Sequence, residues 1–294
     1  MSETTAAVAA GTLPRRRLRA AAPVWLLLPA TAMLLVFFVY PLTAIIWRSF
    51  TDPAIGLSNY TALLHDDVSI KILLRTLRTS LIVALCTLAI AYPYAYAMTR
   101  VGPRARSVLT VLVLLPFWTS LMARNFAWYM LLQRGGPIDR FFGAIGIDDV
   151  VLLGSVAGVT IAMVQVMLPY MVLPLYSGME KIDRRLLDAA TSLGAPRWRA
   201  FVRVYLPLSI PGMLSGFSLV FVITLGFYIT PALLGTPQQS LISQLIGTQV
   251  SDLLDFGGAG ALGAVLLVVT LLVLFAVSRV ARPTAALGQA VGRE

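Results

Sequence analysis

The sequence predicts an all-α, polytopic membrane protein with six transmembrane helices, on three observations. Its 294 residues are 58% apolar and only 12% charged, with a mean hydropathy of +0.84, whereas a soluble domain carries about a quarter of its residues as charges. The charges sit in short segments between uncharged runs of about 20 residues, the length that crosses a hydrocarbon core of about 30 Å. The basic residues fall unevenly on alternate connections, as in proteins that keep cations on one side of a bilayer.

The uncharged runs give the elements in order. Residues 24–46 form the first and stop at Arg48; 80–98 lie between Arg78 and Arg100; 107–123 lie between Arg106 and Arg124. Residues 151–179 are the fourth, 207 to about 230 the fifth, and 256–278, closed by Arg279, the sixth. One Arg at the centre of a span cancels about five or more Leu contributions, so charges mark the ends. The stretch 204–251 holds no charge at all. Pro231, Gly235 and Pro237 interrupt it, and its last part, 241–251, is too short to cross; an interfacial or re-entrant helix is expected there.

Under six spans, one side receives the N-terminal segment (Arg15, Arg16, Arg17, Arg19), the 100–106 and 180–203 connections, and the C-terminal segment. Together these hold 16 of the 23 cations. Both ends of the chain and the fourth connection are therefore expected in the cytoplasm, and a seventh span would put Arg279, Arg282 and Arg293 outside. Arg15 to Arg19 resembles the n-region of a secretory signal, but the 23-residue run after it exceeds the about 7–15 residues of a signal core, so it reads as an uncleaved first span. The expected domains are a basic cytoplasmic tail over 1–22, with 1–13 disordered, a transmembrane domain over 23–280 with a cytoplasmic loop at 180–206, and a cytoplasmic tail over 281–294.

Composition also narrows the chemistry. The formal net charge of +10, with 21 of the 23 cations Arg, would suit a nucleic-acid footprint. Here the cations punctuate apolar runs instead of covering a solvated face, so no nucleic-acid partner is expected. One cysteine, Cys86, and one histidine, His65, exclude an intramolecular disulfide and any multi-Cys or multi-His metal site. No Asp, Glu, Lys or His lies within a span, which disfavours a proton- or sodium-coupled secondary transporter and an intramembrane hydrolase. Energy for transport must come from elsewhere, yet no G-x-x-x-x-G-K-[ST] sequence occurs, so a separate ATPase is implied.

Pro29, Pro93, Pro116, Pro169 and Pro174 fall inside spans, where each removes a helix hydrogen bond. They read either as kinks tolerated by packing or, for Pro93 and Pro116, as bends around a translocation path. Gln165, near the middle of the fourth span, is costly against lipid and belongs at a helix interface or on the path. Trp128 and Tyr129 read as interfacial belt residues. Trp118, Thr119 and Ser120, following Pro116, are candidates to contact a passing solute, and Tyr92 and Tyr228 join them.

The fourth connection is the most informative. Ile182, Leu186, Ala189, Ala190 and Leu193 recur at helical spacing, Asp183 suits an N-cap and Gly194 a C-terminal stop. Pro196 can open a second helix with Trp198, Phe201, Val202 and Tyr205 on its apolar side. The pair reads as a helix-turn-helix plug for a partner's groove or as a surface pair in the headgroup layer.

Asp188-Ala189-Ala190, three residues, Gly194, nine residues, then Val204-Tyr205-Leu206-Pro207 is similar to the E-A-A-x3-G-x9-I-x-L-P signature of ABC importer permeases. Asp188 stands where that family usually has Glu, and Val204 where it has Ile. Arg75-Thr76-Leu77, Ala91-Tyr92-Pro93-Tyr94-Ala95-Tyr96, Leu115 to Ser120, Arg124 to Trp128 and Ile229 to Gly235 resemble the spermidine/putrescine-type branch. The resemblance implies a type I ABC importer permease fold in a bacterial inner membrane, with Asp188, Ala189, Ala190, Leu193, Gly194 and Arg197 coupling to an ATP-binding cassette ATPase dimer. It further implies a second permease subunit and a periplasmic or extracellular solute-binding protein. The chain would then catalyse nothing and hold no cofactor, ATP being bound by its partner. The cargo would be a small solute such as a polyamine. Without carboxylates in the spans, only aromatic faces can meet a multivalent cation, and an amino-acid-like, opine-like or anionic solute is the alternative. A secondary transporter and a membrane scaffold are the rivals from other classes.

Overall fold

The computed structural model describes residues 24–147, 150–183 and 185–291, with side chains described from 27 to 279. The expectations for residues 1–22 lie outside the described residues. Two compact units are distinguished, Met1–Ile45 and Ile46–Glu294. The first holds α1 (Val24–Leu34), a π-helical turn over Leu35–Val39 and the opening of α2 (Tyr40–Thr51). Pro29 sits in α1 without breaking it. The described side chains from 27 to 43 are all exposed, as suits an apolar helix whose solvent is lipid.

In the second unit, α3 (Ser58–His65) leads to α4 (Asp67–Arg100). Asp66 caps α4, its carboxylate accepting the N–H groups of Val68 and Ser69, each at 3.1 Å. The Ser69 hydroxyl and those amides hold its carboxyl below the usual carboxylate range. The helix passes Pro93 without a break. It packs with α8 (Val156–Glu180) and α11 (Leu206–Leu225) into a three-helix core. Small side chains of α4 (Val83, Ala84, Ala91, Ala95) meet long ones of α8 (Met163, Met167, Met171, Leu175), all fully buried.

Between apolar helices in lipid, close packing replaces the hydrophobic effect as the associating force. Gly212 and Gly216 of α11, a G-x-x-x-G pair, supply it. A Cβ on Gly216 would lie 3.0 Å from the Met171 carbonyl oxygen, and one on Gly178 of α8 would lie 2.9 Å from Gly212 Cα.

The third uncharged run is not the single span expected over 107–123. α5 (Pro103–Leu114) tightens into a 3-10 turn, Leu115–Trp118, and breaks at Thr119 and Ser120. The chain continues through α6 (Leu121–Leu132) and α7 (Pro137–Ala144), and the two halves are bent by 97°. Pro116 is the cause, because its ring nitrogen cannot bond the preceding turn. Arg124 holds the bend: its guanidinium donates to the Pro116 and Thr119 carbonyls, the latter at 3.1 Å, and to Thr119 Oγ1 at 3.2 Å. Pro116 thus turns its helix sharply, whereas Pro93 does not.

The fourth connection carries α9 (Arg185–Ser192) and α10 (Arg197–Ala200). α10 is not the separate second helix expected; it runs through a π turn, Phe201–Tyr205, into α11 as one apolar helix, Arg197–Leu225. The fifth span ends at Leu225, short of residue 230. After it come α12 (Ile229–Leu234) and α13 (Ile242–Ser251), the short helix expected at 241–251. The Ile242 N–H donates to buried Thr76 Oγ1 at 2.9 Å, and Arg75 Nη1 to the Ser240 carbonyl at 3.3 Å, tying α13 to α4. α14 (Phe256–Val291) passes Arg279 and continues through most of the segment assigned to a tail. Among the described residues five helices are long and apolar enough to cross a membrane, and six when the bent pair counts as one.

The α8–α11 seam predicts that Gly216→Leu lowers stability by about 1–3 kcal/mol, the cost of overpacking a closed contact. Gly263→Ala, where a Cβ meets nothing within 4 Å, leaves stability unchanged or slightly raised. Thermal unfolding of both variants in detergent reads the difference.

Candidate functional site

The fourth connection folds locally as its sequence demands. Asp183 Oδ1 accepts the Arg185 N–H at 2.9 Å, capping α9 as expected. At the other end Gly194 takes φ +84°, Gly194 N–H bonds the Thr191 carbonyl at 3.0 Å, and Ala195 N–H bonds the Ala190 carbonyl at 3.1 Å. That hydrogen-bond pair is a Schellman stop, which a residue with a Cβ enters only under strain.

The helix so bounded has two faces. Ile182 and Leu187 pack toward the core, and Ala190 is half-buried. Asp188, Ala189, Gly194 and Arg197 are exposed. Leu193, expected in the inward stripe, is 89% exposed because it lies in the turn that closes α9. The stripe expected on the second helix also divides. Phe201 and Tyr205 turn inward and stack at 5.6 Å, packing edge-on against Tyr96, while Trp198 and Val202 stay exposed. Between α9, α10 and the end of α4 lies a cavity of about 680 Å³, lined by Tyr96, Arg100, Leu187, Asp188, Arg197 and Phe201 among others.

The base of this connection is pinned. Arg106, at the start of α5, pairs with Glu180, the last residue of α8, at 3.0 Å. The Tyr176 hydroxyl donates to the same carboxylate at 2.7 Å, and the Arg106 guanidinium stands over the Tyr176 ring at 5.9 Å.

The six solute-path candidates do not share one chamber. Trp118, 71% exposed, stands with exposed Thr119 and Ser120 at the bend of the third span. Gln165 accepts the Trp128 Nε1–H at 3.3 Å, so it serves a helix interface. Trp128 is thereby packed partly buried against α8, with its N–H satisfied. Tyr92 is used by the fold: its hydroxyl meets Ser209 Oγ of α11 at 3.1 Å, and its ring packs edge-on to Phe201. Tyr94 donates to the Leu109 carbonyl of α5 at 2.7 Å. Tyr228 lines a cavity of about 320 Å³ with Pro231, Thr236, Ser240 and Gln244.

Three arrangements were not legible in the residue pattern alone: the Arg124 brace, the Arg106–Glu180 pair and the Arg75–Thr76 tie. The signal for the first was present, an arginine eight residues after an intramembrane proline. The other two join segments distant in the chain.

Apolar helices long enough to cross a bilayer, with a capped, exposed helix between the fourth and fifth of them, define a polytopic membrane protein. Residues 4–284 match the family described as binding-protein-dependent transport system inner membrane component, and the chain belongs to it. It is a multi-pass inner-membrane permease subunit of an ABC importer, and the family's role is transport, not catalysis. The chain is 33% identical over 236 residues to the spermidine/putrescine transport system permease protein PotB of Escherichia coli (strain K12), covering 80% of this chain and 86% of that one. It is 34% identical over 225 residues to PotB of Haemophilus influenzae (75% and 78%) and 30% identical to the inner membrane ABC transporter permease protein YdcU of Escherichia coli (69% and 72%). Among solved structures, it shares the fold of a bacterial ABC transporter that imports the acidic polysaccharide alginate. The TM-score is 0.72 in the complex with a pentasaccharide-bound periplasmic protein, at 20% identity over 88% of this chain and 94% of that one.

Because the Arg106–Glu180 pair is half exposed, its removal costs about 0–1 kcal/mol of global stability. Its local effect is larger: Glu180→Ala removes the acceptor shared by Arg106 and Tyr176, and is expected to speed amide exchange across 181–195 with little change in melting temperature. Hydrogen-exchange mass spectrometry beside a melting curve reads both.

Proposed function

We propose that this chain forms one half of the translocation path of an ATP-driven polyamine importer and receives its power through α9. In this reading a solute-binding protein delivers spermidine or putrescine from outside, a second permease completes the path, and an ATPase dimer grips the loop in the cytoplasm, where both chain ends also lie. Asp188, Ala189, Ala190, Leu193, Gly194 and Arg197 form the coupling surface. The observation that carries the reading is that the Asp188-Ala189-Ala190 segment forms a helix capped by Asp183 and stopped at Gly194 by its own hydrogen bonds, with Ala189 and Leu193 exposed at its end, so that it stands as a defined projection a partner's groove could take. The bias of cations toward this side supports the orientation, and the likeness to PotB supports the cargo.

The mechanism is mechanical. Closure of the ATPase dimer displaces α9, and α8 and α11, which root it, carry the displacement to the bent third span and to Trp118, Thr119 and Ser120. Tyr228, at its open cavity, flanks the route in this proposal, while Gln165 and Tyr92 hold the helices around it. A second reading, a neutral or anionic solute, is favoured by the absence of a carboxylate from the spans. Cation–π contacts with exposed rings such as Trp118 are worth about 0.5–2 kcal/mol each, so a polyamine would pass partly hydrated.

Ala190→Trp fills the half-buried flank of the coupling face. It is expected to abolish ATPase association or uptake while the variant still inserts, measured by co-purification of the complex and uptake into vesicles; normal uptake rules out a tight groove. Trp118→Ala is expected to change the rate or apparent affinity of uptake several-fold, and an unchanged rate removes Trp118 from the path. Thermal-shift screening of the cognate solute-binding protein separates the two cargo readings, a polyamine raising its melting temperature under the first and leaving it unmoved under the second.

A further inference from the structure

The cytoplasmic approach to the fifth span carries a surface that the coupling proposal leaves unused. Over 197–205 one face of the helix turns inward through Ala200, Phe201 and Tyr205. The opposite face presents Trp198, 64% exposed, with Arg199, Val202 and Arg203, all exposed. The Arg199 guanidinium lies 5.2 Å from the Trp198 ring centroid, which holds cation and ring side by side. Neither Arg199 nor Arg203 has a carboxylate partner among the described residues. From Val204 onward the chain is uncharged as far as Ser251, so this face stands at the level where headgroups give way to hydrocarbon.

We propose that Trp198, Arg199, Val202 and Arg203 form a binding strip for the headgroup of an anionic phospholipid. Two unpaired guanidiniums match a phosphodiester in charge and in donor geometry. The indole suits the headgroup boundary, and Val202 faces the first methylenes of the acyl chain. A protein partner would have to bring its own carboxylates to match the two arginines, whereas the phosphodiester of an anionic lipid carries the counter-charge at the depth where this face stands. The strip adjoins the coupling helix, so a lipid seated there would stiffen the segment through which α9 joins α11. The inference rests on the placement of this end at a membrane face, and it adds a ligand to that placement.

The test uses the assembled importer in nanodiscs of phosphatidylcholine with and without phosphatidylglycerol, which expose both leaflets, so that an error in the cytoplasmic assignment leaves the measurement intact. Native mass spectrometry counts retained anionic lipid, and ATPase activity is followed in parallel. Phosphatidylglycerol is expected to remain on the wild type. Retention should fall about tenfold or more in Arg199→Gln/Arg203→Gln, the loss expected when two cations leave an anionic surface, and Arg199→Lys/Arg203→Lys, which keeps the charge and loses the fork of donors, should fall between the wild type and the Gln pair. Equal retention by the Gln pair overturns the proposal. A Gln pair whose ATPase coupling falls equally in phosphatidylcholine alone assigns the strip to the ATPase and also overturns it. So does inorganic phosphate that replaces phosphatidylglycerol in supporting the wild type.

Discussion

The approach of α8 to α11 at Gly178, Gly212 and Gly216 is the constraint from which the rest of the second unit follows. In lipid a helix pair gains little from removing apolar area from its surroundings, so contact depends on how near the backbones come. Gly178 lies two residues before the end of α8, and Gly212 lies in the second turn of α11. The closest contact therefore sits at the root of the connection that carries α9. A loop of some two dozen residues hung on a loose pair would swing freely. Hung on this seam, and pinned at Glu180 by Arg106 and Tyr176, it is held as a defined projection.

Three tyrosines of α4, Tyr92, Tyr94 and Tyr96, extend that constraint to α5 and α11. Ala91 and Ala95 are fully buried in the core that α4 forms with α8 and α11, where any larger side chain would separate the backbones. The tyrosines between and beyond them reach different neighbours, Tyr92 to Ser209 of α11, Tyr94 to Leu109 of α5, and Tyr96 to the Phe201–Tyr205 stack. Each hydroxyl or ring that would be costly against hydrocarbon is spent on a specific contact. α4 thus fixes the angular positions of α5 and α11 around α8, and with them the roots of the bent span and of the fourth connection.

How much of this was legible depended on whether the signal was local. Charge spacing located the uncharged runs, and the caps of α9 followed from Asp183 and Gly194 because capping chemistry involves only the next few residues. The short helix at 242–251 followed from its length and from the turn signals Pro231, Gly235 and Pro237 that separate it from the fifth span. The bend at Thr119 was less accessible. Pro116 and Pro93 look alike in sequence, and the outcome turns on what meets the freed carbonyl: Arg124 folds back onto Pro116 and Thr119, whereas α4 is held straight by packing along its whole length. The candidate path residues were legible as polar or aromatic positions but not as a constellation. Whether a tyrosine serves the fold, as Tyr92 does, or lines an open cavity, as Tyr228 does, is decided by residues more than a hundred positions away or on another helix.

The same geometry bears on why a chain without intramembrane acids can serve in active transport. A secondary transporter must bind its coupling ion within the bilayer, which requires an ionisable group there and sets the protonation or occupancy of that group as the switch. Under the proposed coupling, in which the switch belongs to a partner at α9, the membrane part needs only two properties: stiffness along the route from α9 to the spans, and one element that can change direction. The glycine seam gives the first. The broken third span gives the second, since its two halves are joined by Thr119 and Ser120 and braced by a single side chain, Arg124, whose three hydrogen bonds all lie within eight residues of it. A brace so local can be made and broken without disturbing the α4–α8–α11 core, which is the property the proposed coupling asks of the third span.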